Sequence, residues 1–186
     1  MDVKKFEQFS DLEWQRHFRA NEASEELIET YACQFNETTW KVICQYQKLS
    51  GDFITTFKFE LPIRDLLQHQ VVHQNIIEND INFFKDYMYH ICKHQYITED
   101  FIIRHDNIVN WPSVFRYQEH LSIVFIKRTF SKYFGNKEFL DGSRATQYFS
   151  SPVALRWRKK LSEIVSQHNI KTSIVRQARH RMSSHK

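Results

Sequence analysis

The chain has 186 residues, 41% of them hydrophobic and 16 of them Phe, which is enough for a core in one domain, or in one domain with an appendage. Three Gly and three Pro are too few for an all-β protein with many tight turns, and the scarcity of Gly also weighs against phosphate-cradling loops and dinucleotide folds. The net charge of +4 is split unevenly, with +8 on residues 151–186 and −4 on residues 1–150, so a mildly acidic body is followed by a strongly basic segment.

No stretch approaches the roughly 20 apolar residues of a membrane span. The start, Met1-Asp2-Val3-Lys4-Lys5-Phe6, lacks the apolar run of a signal peptide. Cys33, Cys44 and Cys92 are odd in number and form no paired motif. That fits a reducing, intracellular setting, and all three read as buried thiols.

Along the chain, an apolar pair recurs at a near-constant interval: Leu27-Ile28, Phe53-Ile54, Ile76-Ile77, Phe101-Ile102 and Phe125-Ile126. The second members lie 26, 23, 25 and 24 residues apart. Gln47, Gln70, Gln95 and Gln118 precede the last four pairs, and Asn21 holds the comparable place before the first. A period of this size predicts stacked supersecondary units. The expected fold is all-α: about five short helix-turn-helix repeats over residues 1–130, as an open solenoid or a compact bundle, then a basic helical segment.

The first repeat begins at Ser10, with Trp14 and Phe18 inward, and continues through Ser24-Glu25-Glu26-Leu27-Ile28. In the second, Asn36 or Thr38 caps a helix whose apolar positions are Trp40, Ile43, Cys44 and Tyr46, a spacing of three and four that marks one helical face. Ser50 then caps a helix carrying Phe53, Ile54 and Phe57. The third repeat is the most divergent, with Leu66, Leu67 and Gln70, and with His73 where Ser would stand. The fourth presents Met88, Ile91 and Cys92, then Thr98 as a cap with Glu99 and Asp100 in the first turn, where negative charge suits the helix end. Phe101, Ile102 and Ile103 continue its core. The fifth opens with Asn110-Trp111-Pro112 and runs through Val114, Phe115, Gln118, Leu121, Ser122, Phe125 and Ile126. The expected core is Trp14, Trp40, Phe53, Ile54, Phe101, Ile102, Trp111, Phe125 and Ile126. Helices of about 8–11 residues are marginal alone, so each must bury its stripe against a neighbour.

Residues 131–150 hold Gly135 and Gly142 among Phe134, Phe139, Leu140, Tyr148 and Phe149, and read as an aromatic loop packed on the body. Ser151-Pro152 starts a further helix, with Leu155, Leu161, Ile164 and Val165 on one face. Arg156, Arg158, Lys159, Lys160, Lys171, Arg176, Arg179 and Arg181 are the candidates for contact with nucleic-acid phosphates or with an acidic partner.

The recurring Gln, polar among apolar neighbours, reads first as a ladder in which Gln47, Gln70, Gln95 and Gln118 satisfy backbone groups at the turns, and second as a row of exposed binding groups. No catalytic residue or cofactor site emerges. His69, His73, His90 and His94 are the alternative of a metal site, but their spacing also fits a polar helix surface, and no HExxH pattern is present. Asp80, Asp86, Asp100 and Asp106 read as caps or turn residues.

The run Trp40-x-x-Ile43-x-x-x-Gln47-x-Leu49-Ser50-x-x-Phe53-Ile54 resembles a short helical repeat of proteins from large nucleocytoplasmic DNA viruses. Trp111, Val114, Gln118, Leu121, Ser122, Phe125 and Ile126 match it with one extra residue in the turn, and Met88, Ile91, Gln95, Ile97, Thr98, Phe101 and Ile102 match conservatively. The resemblance covers about residues 8–130, and the third repeat departs most. It implies a viral adaptor or structural scaffold that binds protein partners, in the host cytoplasm or the virion interior. The competing expectation is a nucleic-acid-associated protein acting through the basic segment.

Overall fold

The computed structural model describes residues 6–122, 124–126, 128, 129 and 159. The expected loop over 131–150 and the basic contacts of 151–186 fall outside these, apart from Lys159, which is helical and exposed. The described residues are all-α, with ten α-helices, two 3-10 turns and no strand.

The helices are α1 (Asp11–Ala20), α2 (Glu25–Tyr31), α3 (Glu37–Tyr46), α4 (Gly51–Thr56), α5 (Ile63–His69), α6 (Gln74–Asn79), α7 (Ile81–Phe84), α8 (Met88–His94), α9 (Glu99–Arg104) and α10 (Trp111–Tyr117). They run from 4 to 10 residues, and all but α1 and α3 are shorter than the sequence pattern suggests. No such helix holds its shape alone in water, so packing supplies the stability. Among the described residues, no helix is long and apolar enough to cross a membrane.

The described residues fall into two bodies: one holds 6–97 and Phe101–Asn110, the other Thr98–Asp100 and those from Trp111 onward. In the first body α1, α3, α5 and α8 pack in series as one layer. Their inward residues are Trp14 and Phe18, then Trp40, Ile43 and Cys44, then Leu66 and Leu67, then Met88, Ile91 and Cys92, all buried. The shorter partners α2, α4, α6 and α9 close the core with Ile28, Phe53, Ile54, Ile77, Phe101 and Ile102. Each such side chain contributes about 1.5–3 kcal/mol through burial. At one end aromatic rings dominate: Phe6 and Phe18 both stack on Trp14, with centroids 5.4 Å away.

Local chemistry fixes the helix starts. The Glu13 carboxylate accepts from both the amide and the hydroxyl of Ser10, at 2.7 Å each. The side chains of Ser24, Asn36 and Ser50 accept from the amides of Leu27, Thr39 and Phe53, each satisfying a donor that a helix start leaves free. His73 makes no such bond. In the second body Ser122 accepts from the Phe125 amide at 3.1 Å, and Trp111 stacks on Phe125 at 6.5 Å and 22°. Trp111, Phe125 and Ile126 are buried there.

Several expectations fail at single residues. Tyr46 and Ile103, placed on core faces, are about half exposed, at 54% and 51%. Tyr46 ends its helix and turns outward. Ile103 is the third of three consecutive apolar residues, and at about 100° per residue a helix cannot bury all three on one side. Cys33 is exposed, because it lies in a 3-10 turn, Ala32–Gln34, and not on an inward face. Asp80 precedes α7 but gives it no side-chain cap; it pairs with Lys58 instead.

Candidate functional site

The most regular feature of the first body is made by the recurring Gln. Asn21, Gln47, Gln70 and Gln95 each end a helix of the inner layer in extended backbone conformation, with their amides donating four residues back. Gln118 donates likewise to the Val114 carbonyl, at 3.0 Å.

The three Gln of the first body use their side chains identically. Gln47 accepts from the Ala23 amide at 2.8 Å and donates to the carbonyls of Phe18 and Asn21. Gln70 accepts from Leu49 at 3.3 Å and donates to Cys44 and Gln47, at 2.6 and 2.7 Å. Gln95 accepts from Val72 at 2.8 Å and donates to Leu67 and Gln70. Relative to the preceding cap residue, the partners stand at the same three offsets each time: three before, the cap itself, and two after. A helix end leaves its last carbonyls unpaired, and a carboxamide offers two donors and one acceptor. Each Gln therefore satisfies three backbone groups of the previous turn. Gln47, Gln95 and Gln118 are 3–4% exposed, so Gln47 and Gln95 act as rungs inside the protein, not as surface ligands. Asn21 turns to its own helix, donating to the His17 carbonyl at 3.0 Å.

A second set of links was not anticipated from the sequence. The Glu25 carboxylate receives the amide of Ser50, and also its hydroxyl at 2.8 Å. In the second body Glu99 receives the Ser122 amide. Each acid stands at the first residue of a short helix, 25 and 23 residues ahead of its Ser. In the sequence Glu99 reads only as a partner of its own helix end. Lys58–Asp80, joining the turns after α4 and α6, and Arg104–Glu78, joining α9 and α6, add ion pairs.

Because the rungs fix the turns, residues flanking each Gln recur side by side. Tyr46, His69 and His94 stand just before it; Lys48, Val71 and Tyr96 stand just after. Tyr46, Val71 and Tyr96 are 54%, 78% and 66% exposed. On α8 the His90 and His94 rings lie parallel at 6.3 Å, and Lys93 lies over the Tyr89 ring. Burial, then Arg64 and Lys93, lowers the pKa of His90. Burial, then Lys93, His90 and His69, lowers that of His94. The result is a basic and aromatic edge on α5 and α8. The Nδ1 of His90 is buried with no hydrogen-bond partner.

The opposite layer is acidic. Glu26, Glu29 and Asp52 are exposed on α2 and α4. Between α4 and α6 lies a cavity of about 640 Å³, with Ile54, Ile76 and Phe84 among its apolar walls and Asp52 and the Lys58–Asp80 pair among its polar ones.

For the metal alternative, no three His, Cys, Asp or Glu among the described residues are grouped to hold an ion. His90 and His94 come together, and burial with the nearby Lys93 holds both rings towards the neutral form. Burial pushes the Cys44 and Cys92 thiols up to about 12, so neither supplies a thiolate nucleophile. Comparison with protein-family models, curated proteins and solved structures finds no match.

Proposed function

We propose that the chain is a non-catalytic helical-repeat protein, an adaptor or structural scaffold of a large nucleocytoplasmic DNA virus, acting inside the host cell or the virion. In this reading about five tandem helix pairs form the stack, and residues 151–186 add a basic helical segment. The observation that supports it is the threefold repetition of one Gln geometry at identical offsets. Rungs of this kind hold successive pairs in register, which suits display of side chains along a surface. The acidic layer is the face for a protein partner, with the groove between α4 and α6 taking an apolar side chain and the flanking carboxylates meeting basic residues.

The test is capture from host-cell extract with two full-length baits: wild type, and the charge-reversed variant Glu26→Lys/Glu29→Lys/Asp52→Lys. These residues are exposed, so the fold should persist. A protein retained by the wild type and lost by an equally stable variant is expected. Identical retained sets would refute an adaptor role for this face. A second reading, phosphate contact through Arg156, Arg158, Lys159, Lys160, Lys171, Arg176, Arg179 and Arg181, is favoured by the +8 charge on residues 151–186.

A further inference from the structure

We infer that the exposed surface of α3, α5 and α8, together with the turns that follow them, binds single-stranded nucleic acid, with Tyr46 and Tyr96 stacking on bases and Lys48 and Arg64 meeting phosphates. The inference goes beyond the adaptor reading, since it concerns the opposite layer, but it rests on the same stacked pairs.

Three observations carry it. First, the rungs bring the edge together. Gln70 is tied to the Gln47 carbonyl and Gln95 to the Gln70 carbonyl, so residues flanking successive Gln become neighbours, about 8–10 Å apart for packed helices. Second, the groups so aligned have the composition of a single-strand surface. Tyr46 and Tyr96 expose more than half of their area although both flank buried rungs, and His69, Tyr89 and His94 supply further rings on α5 and α8. Base faces stack on such rings without regard to sequence, while a duplex hides its base faces. Third, charge favours an anion. On α5 and α8 the fixed charges are Arg64 and Lys93 against Asp65, whose carboxylate already accepts from the Gln45 side chain at 3.4 Å. Lys48 faces Glu22 at 3.6 Å, but both side chains are largely exposed, so a phosphate can displace that pair.

The experiment titrates full-length protein against a fluorescent oligothymidine of about 15 nucleotides, within the range one such surface occupies. Because residues 151–186 are basic in every variant, the comparison is among full-length proteins that differ only on the edge. Tyr46→Ser/Tyr96→Ser should lose affinity by roughly 5- to 150-fold per ring, with unchanged melting. Lys48→Ala/Arg64→Ala should flatten the dependence of log affinity on log salt by about 1.4, for two phosphates at roughly 0.7 each. Unchanged affinity in the Tyr variant overturns the inference. So does equal competition by inorganic polyphosphate or by a duplex, which marks simple charge attraction, and so does capture of acidic peptide in preference to the oligonucleotide. Failure of the stack itself has a separate signature, an unaltered unfolding midpoint in Gln95→Leu.

Discussion

Replacing Gln95 with Leu keeps an apolar side chain of similar bulk, one atom shorter, and removes the three hydrogen bonds to the preceding turn. The Val72 amide and the Leu67 carbonyl are then left in buried surroundings, and the Gln70 carbonyl in a partly buried one. An unsatisfied buried group costs about 1–3 kcal/mol. Two of them give about 2–6 kcal/mol, and the third adds little if water reaches it. Gln70→Leu should cost less, about 1–2 kcal/mol, since all of its bonds are part-buried. Gln68→Leu, on the exposed side of α5, should fall within about 0.5 kcal/mol of wild type. Urea unfolding at constant slope measures all three. Gln95→Glu sharpens the argument, because a carboxylate accepts from Val72 but sets its charge against two carbonyls. Burial would raise that carboxyl's pKa, so the variant should be weaker than Gln95→Leu at pH 7 and recover towards it as pH falls. Equal midpoints for Gln95→Leu and Gln68→Leu would refute the reasoning, as would a Gln95→Glu variant indifferent to pH.

Other consequences are equally direct. Ile54→Asp or Ile102→Asp buries an unpaired charge at positions 1% and 0% exposed; loss of the cooperative unfolding transition by circular dichroism is expected, and unchanged melting would contradict the core assignment. In native protein at pH 8 a thiol reagent should modify Cys33 alone, and denaturation should release Cys44 and Cys92; three rapid native equivalents would show the core to be open. His90 and His94 have lowered folded-state pKa values, so the unfolded chain takes up more protons as pH falls below about 6.5. Their contribution to stability is therefore intact at neutral pH and declines below that value. His90→Gln/His94→Gln should flatten the pH dependence of the urea midpoint between about pH 7 and 5, and a steeper one would reverse the sign.

The helical class and the place of each Gln could be read from the sequence because both depend on local order. Ser, Asn and Thr before an apolar pair announce a helix start, and Ser24, Asn36 and Ser50 occupy such places. The Gln stood out as a polar residue at a fixed interval inside an apolar pattern. Its partners could not be read, since they are backbone groups some 21–29 residues earlier, without side-chain identity. The helix α7 was missed: Ile81-Asn82-Phe83-Phe84 has four residues, too few for any periodicity, and is held by burial of Phe84. The basic and aromatic edge escaped for another reason. Tyr46 had been assigned inward by spacing of three and four, which does not foresee a helix ending at that residue. His69 and His94 each stand one residue before a Gln, and Lys48 and Tyr96 one residue after, a relation that acquires meaning only once the turns are superposed.

The rungs also have a direction. Gln47, Gln70 and Gln95 each reach towards the amino-terminal side, onto carbonyls and an amide that the ribosome has already delivered. A nascent chain can thus consolidate vectorially, every emerging pair finding its receptor complete and leaving a copy of that receptor for its successor. For the genome this makes lengthening or shortening cheap: in-frame duplication or excision of a whole period rejoins matching ends, whereas a cut of half a period orphans a rung.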